Sequence, residues 1–163
     1  MVLKEIKKRL NTLESILEIQ KLHTEYMFWV NARQWDEVVN CFTEDASALL
    51  PRHGLFKGKA GLSELYKERV EKSNLGQGRD AHFVLQLVID VNGDQATGHW
   101  LMYIIISDPV TGKLSRLIRG RHDVEYARVD GKWKIKSLKY TRPWPEDPDT
   151  LIKYQQVEKG ESG

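Results

Sequence analysis

Apolar residues recur at intervals of three and four through Leu13, Ile16, Leu17, Ile19, Leu22, Tyr26 and Trp29. That spacing predicts an amphipathic helix ending near Val30. Asn11 and Glu14 have the spacing of a capping box at its start. Val2, Leu3, Ile6 and Leu10 continue a similar period upstream, which leaves open whether the segment is one long helix or two. Trp35, Val38, Val39 and Phe42 predict a second, short helix. Residues 58–70, with Leu62, Leu65, Tyr66 and Val70, predict a third that ends before Gly76. Residues 48–50 and 55–57 read as short strands between them.

The second half changes period. Strands are expected at residues 82–91, 96–107, 114–128 and 132–141, separated by Asn92-Gly93-Asp94, a five-residue turn from Asp108 to Gly112, and Asp130-Gly131. Three helices followed by a four-stranded antiparallel meander predict an α+β domain: helices lie across the concave face of a curved sheet and leave a pocket. Residues 99–106 are apolar on both sides, with Leu101, Tyr103 and Ile105 on one and Trp100, Met102, Ile104 and Ile106 on the other. An antiparallel sheet usually keeps one face wet, so the convex side is expected to pack against another copy of the chain.

Asp130-Gly131 between alternating segments is a strong hairpin signal. The period of two puts Ile118, Gly120, His122, Val124 and Tyr126 on one side of the strand, so His122 points the way the core points. A histidine there is more often a hydrogen-bonded core residue than a catalyst. His82 shares a strand side with Val84, Gln86 and Val88, opposite the more apolar Phe83, Leu85, Leu87, Ile89 and Val91. Such a mixed face suits either a pocket wall or a partly wet surface. Tyr26 and Trp29 fall on the core side of the first helix, where aromatics usually serve packing. Arg116, Arg119 and Arg121 alternate with Asp123 and Glu125, which points to cross-strand ion pairs or a subunit contact.

At 163 residues the chain fits one domain with a substantial core. Its 25 basic and 23 acidic residues are interleaved, so no face is built to attract nucleic acid or an anionic membrane. The single cysteine, Cys41, is expected to be a buried, inert thiol in a reducing compartment. No apolar run approaches the roughly 20 residues of a membrane span, so a cytoplasmic protein is expected. His23, His53 and His99 have no spacing that brings two imidazoles to one side of a helix or strand, which argues against a metal site. Phosphate-loop and nucleophile-elbow motifs are absent.

Three stretches carry a resemblance: YMFWVNARQW followed by DEVVNCFTEDA, the strand start RDAHF, and GRHDVEYARVDGKWKI. With the helix-then-meander layout they resemble the SnoaL-like branch of the nuclear transport factor 2-like superfamily, of cystatin-like fold, which includes scytalone dehydratase, bile acid 7α-dehydratase and lindane dehydrochlorinase. The resemblance covers roughly residues 13–144. It implies a single domain with a core at about 11–144 and a C-terminal extension at 145–163, whose prolines break the sheet and whose last residues are expected to be mobile.

The resemblance also implies a site. His82 matches the base of those enzymes, Asn31 stands where they usually have an aspartate that orients the base, and Tyr26 matches a substrate-contacting position. An asparagine can orient an imidazole but cannot neutralise an imidazolium. The expected function is therefore a cofactor-independent lyase or isomerase, in first place a dehydratase, acting on a small, hydrophobic, cyclic compound. His82, Asn31 and Tyr26 are the catalytic candidates, and His122, Tyr103, Trp29 and Trp100 the substrate-binding ones. The alternative is a non-catalytic binder of a small hydrophobic molecule. A homotrimer is expected over a dimer, with no metal and no cofactor.

Overall fold

The computed structural model describes residues 2–73, 80–108 and 110–142. The expected C-terminal extension from residue 145, and Gly76 as the end of the third helix, lie outside the described residues. The leading helix is one continuous element, α1 (Val2–Ala32). Asn11 and Glu14 sit in its interior, so the expected capping box is not a helix start. Its core face carries Ser15, Ile19, His23, Tyr26 and Met27, all buried. Leu13 and Leu17 point instead to solvent, 59% and 64% exposed. The three-and-four spacing seen in the sequence merged two separate apolar faces.

A turn through Arg33, whose φ is +56°, leads to α2 (Trp35–Asn40). Phe42 begins β1 (Phe42–Leu50), which is longer than the strand expected at its end, and β2 (Gly54–Lys57) folds back on it. Next comes α3 (Gly58–Ser63), which runs on into a π-helical stretch, Glu64–Val70. The meander follows as β3 (Asp80–Asn92), β4 (Gln95–Ser107), β5 (Leu114–Val129) and β6 (Lys132–Thr141), within a residue or two of the expected limits. Cys41 is buried as expected; burial pushes its thiol pKa up to about 11, and it donates to the Glu37 carbonyl.

The six strands form one open sheet in the order β2-β1-β6-β5-β4-β3. It is mixed rather than wholly antiparallel, because β1 lies parallel to β6, with Ala48 opposite Leu138. Parallel neighbours need a long crossover, and everything from α3 to β5 supplies it. The inner face presents Trp100, Met102 and Ile104 from β4, Ile118, His122, Val124 and Tyr126 from β5, and Ile135, Leu138 and Tyr140 from β6, all buried. Helix α1 packs on this side against β3 and β6.

One strand breaks its own alternation. In β3, Leu85 pairs with Leu101 but Val88 pairs with His99, so Gln86 and Leu87 together oppose Trp100. Gln86 takes the extra place with φ +49°, a β-bulge. His82 and Val84 therefore face inward before the bulge, and Leu87, Ile89 and Val91 face inward after it, while Phe83, Leu85 and Val88 are exposed. The regular two-residue assignment for this strand is thus corrected: His82 is on the inner side, but Gln86 and Val88 do not share it.

Gly120 lies directly under the Tyr140 ring. A Cβ placed there would come 1.9 Å from Tyr140 Cε2 and 2.5 Å from its Oη. No neighbouring backbone shift of a few tenths of an ångström relieves such an overlap. Gly120→Ala should force Tyr140 from its place and cost about 1–3 kcal/mol in denaturant unfolding, the usual range for overpacking. A variant as stable as wild type would mean the ring has a second resting position.

Candidate active site

Where α1, the π-helical stretch and the inner sheet face meet, they enclose a pocket of about 90 Å³. Met27, Val30, Leu50, Val70, Met102 and Ile104 make its apolar wall, and Tyr26, Tyr66, Asp80, His82, His122 and Tyr140 bring polar atoms to it. A wider, open groove of about 670 Å³ lies at the other end of the sheet, but its Glu44, Asp45, Asp90 and Glu125 side chains are exposed to water. Among the described residues, the small pocket is where buried ionisable groups converge on apolar surroundings, which is the usual setting of a binding or catalytic site.

His82 is brought there by the first turn of β3. Its Nδ1 is buried without a hydrogen-bond partner and lies 3.5 Å from Asp80 Oδ2. Residues two apart on a strand share a side, so the local sequence DAH itself sets carboxylate beside imidazole. Asp80 is held in turn by Arg33, 2.8 Å from Oδ1, and the same guanidinium reaches Glu71 at 3.4 Å. Burial pulls the His82 pKa below its ordinary 6.5, with Asp80 opposing that shift and Arg33 adding to it. The ring is consequently neutral at pH 7, with Nδ1 on the Asp80 side.

Asn31 does not perform the part expected of it. Its Nδ2 donates to the His82 carbonyl (2.9 Å) and its Oδ1 accepts from the His82 N–H (2.8 Å). Both contacts are to main chain, as though Asn31 were one more strand residue alongside β3. The amide anchors the backbone that carries the imidazole, while the ring has Asp80 as its acidic neighbour.

His122 belongs to a buried chain of hydrogen bonds that the sequence reading missed. Trp100 Nε1 donates to Tyr126 Oη (2.9 Å), and Tyr126 Oη lies 2.9 Å from His23 Nδ1. His23 Nε2 lies 3.2 Å from His122 Nδ1. An indole nitrogen can only donate. Tyr126 therefore accepts from Trp100 and gives its own proton to His23 Nδ1, so the His23 proton sits on Nε2 and is donated to His122 Nδ1. That leaves the His122 proton on Nε2. The tautomers follow from satisfying each buried group. Burial drives the His122 pKa down to about 3, helped by the nearby His82 and opposed by Asp123; burial also holds His23 well below its usual value, with His122 second. Both rings are neutral donors and acceptors.

Tyr26 is in the pocket wall, buried, with its hydroxyl 2.9 Å from that of Tyr66. Burial pushes both phenols above their usual range. Tyr140 Oη is buried with no partner, a second unmet polar atom beside the same space. Three other candidates lie elsewhere. Trp100 stacks on His23 (4.3 Å between ring centres) and serves the hydrogen-bond chain. Trp29 is half-buried on α1, edge-on to Phe28 at 5.0 Å. Tyr103 alternates with the inward Met102 and Ile104, so it sits on the outer face between Phe83 and Arg119. Asp80, His23, Tyr66, Tyr126 and Tyr140 are the residues sequence reasoning did not single out. The signals were present in part: DAH for Asp80, and a histidine on the apolar stripe between Ile19 and Tyr26.

The arrangement of helices packed on a curved, open mixed sheet is that of the nuclear transport factor 2-like, cystatin-like folds. A cystatin-like nuclear transport factor 2-like protein from Novosphingobium aromaticivorans superimposes with a TM-score of 0.73 at 20% identity, over 92% of this chain and 96% of that one. A hexachlorocyclohexane dehydrochlorinase from Novosphingobium barchaimii gives 0.68 at 24% identity, over 83% and 91%. A structure described as a putative aromatic ring hydroxylase from Novosphingobium aromaticivorans gives 0.66 at 24%, over 82% and 92%. The sequence profile of the SnoaL-like domain matches residues 11–139, and the chain belongs to that family. No curated protein sequence matches it. Among the described residues no helix is long and apolar enough to cross a membrane, and no cluster of three or more acidic, histidine or cysteine residues could hold a metal ion.

Proposed function

We propose that the chain is a cofactor-independent lyase that removes water from a small hydrophobic, cyclic molecule, with His82 as base and Asp80 as its acidic partner. The observation that carries this reading is the His82–Asp80 pair, neutral ring beside carboxylate, opening on an apolar pocket with an unmet Tyr140 hydroxyl. His82 Nε2 takes a proton from a carbon next to an electron-withdrawing group. The C–H electron pair becomes the new double bond as a hydroxyl departs, and the imidazolium so formed is stabilised by Asp80. His122 Nε2–H, whose tautomer the buried chain fixes, donates to the developing oxyanion, and Tyr140 supplies a proton to the leaving hydroxyl. The family and a structural neighbour that is a dehydrochlorinase, another elimination enzyme, support the class of chemistry.

The test is to incubate the purified protein with a panel of small cyclic β-hydroxycarbonyl compounds and follow loss of water by mass spectrometry. The reading expects turnover of at least one that disappears in His82→Ala. A compound that co-purifies and binds without turnover would support the binder instead.

The same reading includes self-association through the outer sheet face, as a trimer. Phe83, Leu85, Val88 and Leu117 are 48–56% exposed there, beside the half-buried Leu101, Tyr103 and Ile105. Leu85→Lys with Leu117→Lys should lower the mass in sedimentation velocity; an unchanged mass removes this face as an interface.

A further inference from the structure

The solvent side of α1 carries a second apolar stripe. Leu3, Ile6, Leu10, Leu13 and Leu17 are 81%, 55%, 52%, 59% and 64% exposed. They follow one another at three, four, three and four residues, the 3.5-residue average of a coiled-coil seam and not the wider stripe of a helix lying on a core. On a helix of 100° per residue this stripe is opposite Ser15, Ile19, His23 and Tyr26, which face the body of the protein. From Ser15 onward one side of the helix is used by the body of the protein, and the separate leucine seam is covered by none of the described residues.

The charges along the same helix name the occupant. Its first third holds Lys4, Lys7, Lys8 and Arg9 against the single Glu5, whereas the following turns hold Glu14, Glu18 and Glu25 against Lys21. Two copies side by side in parallel would set the basic turns against each other. Antiparallel, the basic turns of each lie along the acidic turns of the other. The seam fits that arrangement: Leu10 meets Leu13 of the second copy and Ile6 meets its Leu17, while Lys7 comes beside its Glu14. Because the core face of α1 points away from the seam, the two sheets lie on opposite sides of the helix pair and do not collide.

We propose that the leucine seam of α1 is a two-fold interface on which a second copy of this chain docks its own α1 in antiparallel orientation. It is independent of the pocket chemistry and of the outer sheet face. Sedimentation velocity of the full chain at about 100 µM, a concentration at which even weak specific dimers form, tests it. Leu10→Glu with Leu13→Glu should halve the mass of whatever assembly the wild type forms, with the far-ultraviolet circular dichroism unchanged because neither side chain packs against the body of its own chain. Lys7→Glu should weaken association by about fivefold at low salt, and adding Glu14→Lys should restore it, since charge pairs of this kind govern pairing more than stability. An unchanged mass in the double glutamate variant, or a wild type that sediments as a single chain, overturns the interface. Loss of mass without rescue by the charge exchange overturns the antiparallel orientation.

Discussion

His82→Ala should lower turnover by about a hundredfold to ten-thousandfold, the range contributed by a positioned general base, with the far-ultraviolet circular dichroism of the folded protein unchanged. The side chain is 13% exposed and its Nδ1 has no hydrogen bond to lose, so the variant gives up packing around the ring but no hydrogen bond, and turnover is compared per folded molecule. Asp80→Asn makes a sharper companion. The carboxylate opposes the downward shift that burial imposes on His82, so removing its charge should lower the His82 pKa further, and the acid limb of the rate profile should move to lower pH as turnover falls. An NMR titration of the His82 ring reads the same displacement without any substrate. Asn31→Ala behaves differently, because its amide holds main chain: it should cost stability and leave the acid limb in place. If His82→Ala retains wild-type turnover, or if the Asp80 variant leaves the imidazole titration where it was, the pair is not the base.

Acidification should destabilise the fold well before its carboxylates are protonated. His122 has a pKa of about 3 in the folded protein against 6.5 for the free side chain. The native state binds fewer protons than the unfolded one throughout that interval. The stabilising contribution is complete above pH 6.5 and is lost as pH falls towards 3, a total on the order of 5 kcal/mol at 1.36 kcal/mol per pH unit. His23 and His82 are displaced in the same direction, so they steepen the slope and do not offset it. Urea midpoints measured from pH 7 to pH 4 should fall continuously, and His122→Gln should flatten part of that fall. A midpoint constant across the interval would mean that the imidazoles reach water before the fold opens.

The meander was legible because its signals are local. Asn92-Gly93, Asp130-Gly131 and the alternation from Ile118 to Tyr126 each act within a few residues of themselves, and the strands they bound agree with those observed. The pairing of β1 with β6 was not legible: Ala48 and Leu138 are brought together by the whole crossover between them, and neither strand advertises its neighbour. The site divides in the same way. His122 was placed correctly by its two-residue period, and the resemblance pointed to His82. The resemblance implied a partner for His82 near the end of α1, at Asn31, whereas the carboxylate beside the ring is that of Asp80, two residues upstream on the strand itself. His23 was overlooked because an amphipathic pattern says which side is buried and nothing about which buried groups will meet across 99 residues of sequence, as His23 and His122 do.

The additional residue at Gln86 has an effect on how freely this chain can vary in length. It lets a single strand offer an imidazole to the pocket with its first turn and Leu87, Ile89 and Val91 to the interior with the rest. Deleting Gln86 would restore an unbroken pleat and keep both sets inward, His82 and Val84 before the gap and Leu87, Ile89 and Val91 after it. The strand can therefore shorten by that one position without turning a side chain over, whereas the same 13 residues drawn into a regular pleat would put either the imidazole or the three aliphatic side chains in water.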